Sequence, residues 1–448
     1  MGRRAFLKAA GAYAGLAALA PSLPGLIAWG GSGRVRLHRG YGDLRPAGPE
    51  LALPEGFGYM KLGVEGSPMS DGAPTPRAHD GMAAFGMPDG TIRLVRNHED
   101  KDLPGVAAVL GDPRLAYDRS AGGGTTTIEL RIGADGRPEL IRDFVSLGGT
   151  TVNCAGGPTP WGSWLSCEEI TWGSVKGFSL PHGYIFEVPA AADGPVQAVP
   201  LPEMGRFWHE AVAVDPLTGI VYETEDYNRR CGFYRLVPRT PGRLVDGGAL
   251  EMLAISGQPQ ADLRQGQRVG EWLPVEWVPI DDPDPADAER NPSTVFLEGD
   301  ENGGARFTRL EGCWHADGSI YFHSTNGGEA HAGQVWRYIP EQEGLALVFE
   351  SPGREVLDSP DNLTVSPRGG LLMCEDATGT SHMRGLTPAG EIFDFARNIM
   401  NRREFAGATF SPDGRVLFAN IQGDLDSFGP GNPGMSFAIW GPWEDGAL

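Results

Sequence analysis

The chain has 448 residues, a formal net charge of -21, 66 glycines, 37 prolines and five cysteines. That length admits two average domains or one large β architecture, and the many short apolar runs broken by glycine and proline favour the second. The acidic balance excludes a nucleic-acid partner, because a surface that repels phosphate gains nothing from counterion release, and five dispersed cysteines exclude a disulfide framework.

In chain order, RRAFLK at residues 3–8 precedes a glycine- and alanine-containing apolar run. This resembles a twin-arginine export signal, assigned to residues 1–28, with an ordinary secretory signal as the plainer reading; the run is too short for a membrane anchor, and no later stretch is long and apolar enough to span a bilayer. Recognition by the twin-arginine machinery implies export in the folded state to the periplasm or beyond, with any cofactor loaded before transit. Residues 29–448 are expected to form one domain.

That domain repeats itself. Six segments share one design of polar motif, strand-like run, glycine turn, strand-like run and second polar motif. They are HDGMAAFGMPDGTIRLVRNHE (79–99), NCAGGPTPWGSWLSCEE (153–169), HEAVAVDPLTGIVYETED (209–226), LEGCWHADGSIYFHSTN (310–326), DNLTVSPRGGLLMCED (361–376) and FAGATFSPDGRVLFANIQ (405–422). The turns PDG, HADG and SPDG supply the positive φ of a tight reversal, so each unit is predicted to be a β-hairpin whose two polar motifs meet at one end. Further strands are predicted at TTTIELRI, GYIFEVP, GFYRLVP and GQVWRYIP. The fold class is therefore all-β, a six-bladed β-propeller. Residues 245–300 form a longer excursion containing a surface loop, IDDPDPADAERNP, and the stretch 34–62 is predicted to complete the last blade.

Radial packing would bring the equivalent ends of the hairpins to one mouth of the central channel. Asp80, Glu99, Cys154, Glu168, Glu169, Glu210, Asp226, Glu311, Asp361, Glu375 and Asp376 would crowd that mouth, with the last hairpin ending in a glutamine. Bare carboxylates gathered this way repel one another by several kcal/mol. Calcium suits an irregular oxygen site, whereas a thiolate in the same mouth suits a metal such as iron, and a mixed site reconciles the two. Each acid also has a plainer reading as a solvated strand end, and the histidines at 79, 98, 209 and 323 as hydrogen-bonded core. Cys167, Cys313 and Cys374 read as buried thiols. For Cys154 a buried thiol, a metal ligand and a disulfide to Cys167 all remain open. No GxSxG elbow, P-loop or HExxH motif is present.

The segments RRAFLK, NHE (97–99), NCAGGPTPWGSWLSCEE, FWHEAVAVDPLTGIVYETED, ARFTRLEGCW, SPDNLTVSPRGGLLMCED and EFAGATFSPDGRVLFANIQ, in that order, resemble the PhoX-type alkaline phosphatases. The resemblance implies a propeller phosphatase acting on small phosphorylated organic substrates, monoesters and also diesters. It implies a pair of ferric ions with about two or three calcium ions at the mouth. Carried over motif by motif, it makes Cys154, Glu210, Asp226 and Glu311 metal ligands, with Glu169 and Asp361 less directly aligned. Arg309 is implied as the substrate phosphate contact, expected on the same strand face as Glu311. Glu375 joins the metal ligands by hairpin position alone, and Asp80, Glu99 and Glu168 are further candidate metal ligands. The chain is shorter than the best-known members, and a monomer is expected. Two alternatives differ in class: a calcium-dependent lactonase or esterase propeller, which would need neither Cys154 nor Arg309, and a metal-stabilised binding propeller without chemistry.

Overall fold

The computed structural model describes residues 35–448 apart from 110 and 135; the export signal expected at residues 1–28 lies outside the described residues. The described residues form six radial β-blades, and each hairpin of the sequence supplies the two inner strands of one blade. Blade 1 runs His79–Gly86, Ile92–His98, Gly123–Ile132 and Pro138–Thr150. Blade 2 has three strands, Asn153–Pro158, Ser163–Glu168 and Ile185–Pro189. Blade 3 comprises His209–Val214, Val221–Glu225, Phe233–Pro238 and Gly248–Ile255. Blade 4 is Leu310–Ala316, Ser319–Ser324, Gln334–Ile339 and Gly344–Glu350. Blade 5 is Pro360–Val365, Leu371–Glu375, His382–Leu386 and Glu391–Asn398. Blade 6 takes Phe405–Phe410, Val416–Ile421 and Met435–Trp440, with Gly58–Val64 as its outer strand.

That last pairing joins the two ends of the chain and closes the ring. The 34–62 stretch is divided, however: Leu51–Leu53 pairs with the outer strand of blade 5. Within the 245–300 excursion, Trp272–Ile280 pairs with the outer strands of both blade 3 and blade 4, joining them into one sheet. Its proline-rich residues 281–292 are turns, and Thr294–Glu301 is a helix.

The hairpin turns follow from local chemistry. In blade 4, Asp317 and Gly318 both take positive φ, 47° and 67°, the two left-handed residues of a type I′ turn. Between blades the core is apolar. Leu165 and Cys167 of blade 2 pack with Val212, Val214 and Val221 of blade 3, and Cys374 of blade 5 packs with Phe405 and Leu417 of blade 6. All five cysteines are buried and free, so there is no Cys154–Cys167 bridge.

The innermost strands share an irregularity that the sequence repeat did not reveal. In each, the register slips by one residue near the mouth, between His79 and Met82, His209 and Val212, Leu310 and Cys313, Pro360 and Leu363, and Ala406 and Thr409. In blade 2 the slip spans the residues opposite Ser166 and Glu168. Each slip leaves two adjacent residues unpaired, a β-bulge that re-aims side chains. The first unpaired residues are Asp80, Cys154, Glu210, Glu311, Asp361 and Gly407.

The second unpaired residue abuts the next blade. A Cβ added to Gly312 would lie 2.5 Å from the carbonyl oxygen of Asp361 and 2.7 Å from the nitrogen of Leu363; one added to Gly81 would lie 2.5 Å from the Cα of Ala155. The bulges of neighbouring blades thus pack backbone to backbone. Gly312→Ala should overpack this contact and lower stability by about 1–3 kcal/mol. Urea unfolding should show the midpoint falling; an unchanged midpoint would mean the ring has slack at this height.

Candidate active site

Two tiers of side chains meet at the mouth. The bulges supply the first: Asp80, Cys154, Glu210, Glu311 and Asp361, with Gly407 contributing no side chain. The residues that immediately follow each second strand supply the other: Glu99, Glu169, Asp226, Thr325, Asp376 and Gln422. Most of these line one cavity of about 190 Å³, together with Lys101, Arg309, Arg402, Arg403 and Glu404.

Three overlapping groups place their ligand atoms within 4.8 Å of one another: Asp80, Glu99 and Cys154; Cys154, Glu169 and Glu210; and Glu210, Glu311 and Asp361. The thiol of Cys154 donates to Glu210 Oε2 at 2.8 Å, while Glu210 Oε1 is buried with no hydrogen-bond partner. Burial, and then neighbouring carboxylates, push Asp80, Glu169, Glu210 and Glu311 well above the usual carboxylate range. Asp361 is pushed up to about 8 by burial and by Asp376 and Glu99. Burial and the charges of Asp80 and Glu210 likewise raise the Cys154 thiol. An arrangement in which every member disfavours the ionisation of its neighbours suits cations, which would reverse all of these shifts together.

Two cations already partly offset the acids. Arg309 is gripped by Asp226, with Nε 3.0 and 3.2 Å from its two oxygens and Nη2 at 2.9 Å, and Nη2 also donates to Glu311 Oε1 at 2.6 Å. Burial disfavours its charge, but Glu311 and Asp226 more than compensate and hold its pKa above the ordinary value. Nη1 has no partner among the described residues, so one edge of the guanidinium stays available to an anion in the cavity. Lys101 Nζ lies 2.6 Å from Glu99 and 3.8 Å from Glu169.

The structure corrects three sequence expectations. Arg309 is not in the strand of Glu311: the strand begins at Leu310, and Arg309 precedes it in left-handed backbone, φ 45°. The two side chains meet because of that turn. Glu168 and Glu375 do not face the mouth. Glu168 accepts hydrogen bonds from the nitrogens of Thr151, Gly183 and Tyr184 at 2.9, 2.8 and 3.1 Å and lies 2.7 Å from His182 Nδ1. Glu375 accepts from Arg384 Nε at 2.8 Å and from the nitrogens of Asp358 and His382 at 3.0 and 3.1 Å. Both are last residues of second strands, and Glu225, their counterpart, accepts from Gly232 N at 2.9 Å and the Tyr234 hydroxyl at 2.7 Å. Strand alternation turns this position into the blade and its successor toward the mouth. Asp226 does reach the mouth, but both of its oxygens are engaged by Arg309, and it belongs to none of the three groups.

The histidines are structural: His79 and His209 face backbone oxygens of Pro76 and Gly205 through Nε2, at 2.8 and 3.0 Å. Sequence reasoning did not single out Glu404, Lys101, Arg402 or Arg403. Glu404 precedes its inner strand much as Arg309 does in blade 4, so the same offset applied to EFAGATF would have found it. Burial and the charges of Asp376 and Asp361 raise its pKa well above normal. No helix among the described residues is long and apolar enough to cross a membrane.

No curated protein matches the chain by sequence. Among solved structures, Pseudomonas fluorescens PhoX in complex with vanadate, a transition state analogue, shares the fold at a TM-score of 0.66 and 18% identity, over 91% of this chain and 98% of that one. A gluconolactonase from Xanthomonas campestris aligns over 89% of this chain and 99% of its own at 14% identity, but its TM-score of 0.41 is too low to support an inference. The family model described as alkaline phosphatase PhoX matches residues 40–424, which take in all six hairpins and every charged residue that lines the mouth. By that match the chain belongs to the PhoX family of alkaline phosphatases.

Proposed function

We propose that this phosphatase hydrolyses phosphate monoesters, and diesters, of small organic molecules at a mixed iron and calcium centre in the propeller mouth. The observation that carries the proposal is the buried set of three overlapping ligand groups, with Cys154 shared by two of them and one Glu210 oxygen left without a partner. The donor set fits the ions. A single thiolate among carboxylates suits iron, and the remaining oxygens from separate blades suit calcium. Cys154, Glu169, Glu210, Glu311 and Asp361 would hold them, and Asp80 and Glu99 complete a third group with Cys154.

Bound there, multivalent cations supply the positive charge that phosphoryl transfer requires on its equatorial oxygens. The chain's own contribution is positioning. Asp226 and Glu311 fix the Arg309 guanidinium from two sides, so that Nη1 is presented to a phosphoryl oxygen without reorganisation. No serine or histidine nucleophile is required, which agrees with buried histidines bound to backbone oxygens. The residues RRAFLK support export by the twin-arginine route, folded and loaded, to the periplasm or the medium, where a monomer would meet phosphorylated nutrients.

Arg309→Ala should lower kcat/KM for p-nitrophenyl phosphate by about 100-fold or more, the scale of losing one preorganised charge contact in a transition state. The comparison is made on metal-loaded protein at saturating calcium; full activity in the variant would remove Arg309 from the site. A second expectation concerns the chelated protein. A carboxyl whose folded pKa is raised contributes stability that is fully present below its unfolded value near 4 and lost as pH rises through the folded value. With Asp361 at about 8, the melting temperature of chelated protein should fall between pH 5 and about 8.5. Added calcium should restore it most at the alkaline end. A melting temperature that is flat or rises over this range without metal would contradict the crowded-carboxylate reading.

A further inference from the structure

Four basic side chains line the cavity, and three have acidic partners. Arg309 is paired with Asp226 and Glu311, Lys101 with Glu99, and Arg403 with Asp424. Arg402 is exposed and has no hydrogen-bond or ion-pair partner among the described residues. In a protein of net charge -21, a lining cation left without a partner beside so many acids calls for a physical reason.

Its backbone, by contrast, is firmly held. Asn398, at the end of blade 5, accepts from the nitrogens of Met400 and Asn401 at 3.0 and 3.2 Å and donates to the carbonyl of Arg403 at 2.7 Å. Asn401 Oδ1 accepts from Arg403 N at 2.9 Å, and the nitrogen of Ile399 bonds the carbonyl of Glu50 at 2.9 Å. The turn on both sides of Arg402 is thereby fixed, so the root of its side chain is held at the rim while the guanidinium is left free to bind.

The cavity holds about 190 Å³, below the roughly 300 Å³ at which pockets enclose a whole drug-sized ligand. A phosphoryl group bound at the Arg309 edge would take up part of that volume, so the leaving group would extend toward the rim that Arg402 lines. We propose that Arg402 is a specificity residue that binds a second anionic group, a carboxylate or a further phosphate, on the leaving group of the substrate. The enzyme would accordingly favour phosphoesters of anionic metabolites over esters of neutral alcohols. This rests on the phosphatase reading of the mouth, which hydrolysis of the neutral-alcohol esters tests by itself.

The experiment uses metal-loaded full-length protein and two matched pairs: 3-phosphoglycerate with glycerol 3-phosphate, and 4-carboxyphenyl phosphate with phenyl phosphate. In each pair the readout is the ratio of kcat/KM for the carboxylated ester over its neutral partner. Arg402→Ala should lower that ratio about tenfold in at least one pair, the scale of one charge-assisted hydrogen-bonded contact, and the loss should appear in KM. Arg402→Lys should recover part of it. Raising salt should shrink the ratio in the natural protein far more than in Arg402→Ala, as for a rim charge. Ratios unchanged in both pairs would overturn the proposal. So would an equal loss for both members of each pair, which would place Arg402 on the reacting phosphoryl group instead.

Discussion

Mutual repulsion among buried carboxylates is the constraint on which this structure turns. Two unit charges about 4 Å apart interact by roughly 4 kcal/mol at an effective dielectric of 20, and the mouth places several acids at such separations around Cys154 and Glu210. No fold keeps such a cluster without neutralising it. Asp80, Glu169, Glu210, Glu311 and Asp361 are pushed toward the protonated form, Arg309 and Lys101 are drawn in, and the remaining demand for positive charge is what suits the site to cations. Once cations are present, the same cluster changes from an obstacle to phosphate into an attraction for it.

The geometry behind that cluster is a backbone device repeated around the ring. A β-bulge at the mouth end of each inner strand releases one residue from the pleat and turns it toward the channel. Five of the six released residues are Asp, Glu or Cys, and the sixth is Gly407. The residues after the second strands add a second tier, interrupted by Thr325 and Gln422. The site is therefore lopsided: blades 1, 3 and 5 supply two carboxylates each, blades 2 and 4 one each, and the two tiers of blade 6 none. The position in blade 4 that lacks a second-tier acid is the one where Arg309 reaches in.

Much of this was legible in the sequence, because hairpins leave local marks. Glycine turns between alternating runs fixed the strands, and their six-fold recurrence fixed the propeller. The polar motifs at the hairpin ends then had to share one rim. What the sequence could not resolve was parity at the strand ends. SCEE and MCED each offer two adjacent acids, and only hydrogen-bond register decides that Glu169 and Asp376 face the mouth while Glu168 and Glu375 buttress the blade. Arg309 was found for an incomplete reason, since its approach to Glu311 depends on a left-handed residue that no spacing rule supplies. Lys101, Arg402 and Arg403 sit in inter-strand loops without periodicity, and their arrival at the mouth follows from ring closure.

The central claim is that the crowded mouth exists to hold metal ions of two kinds. Elemental analysis of protein purified after native export, from medium supplemented with neither metal, tests it most directly. The account predicts iron and calcium together, each in stoichiometric amount, with iron lost from a Cys154→Ser variant whose thermal unfolding stays cooperative. A fully active natural protein containing calcium alone, or no metal, would contradict it.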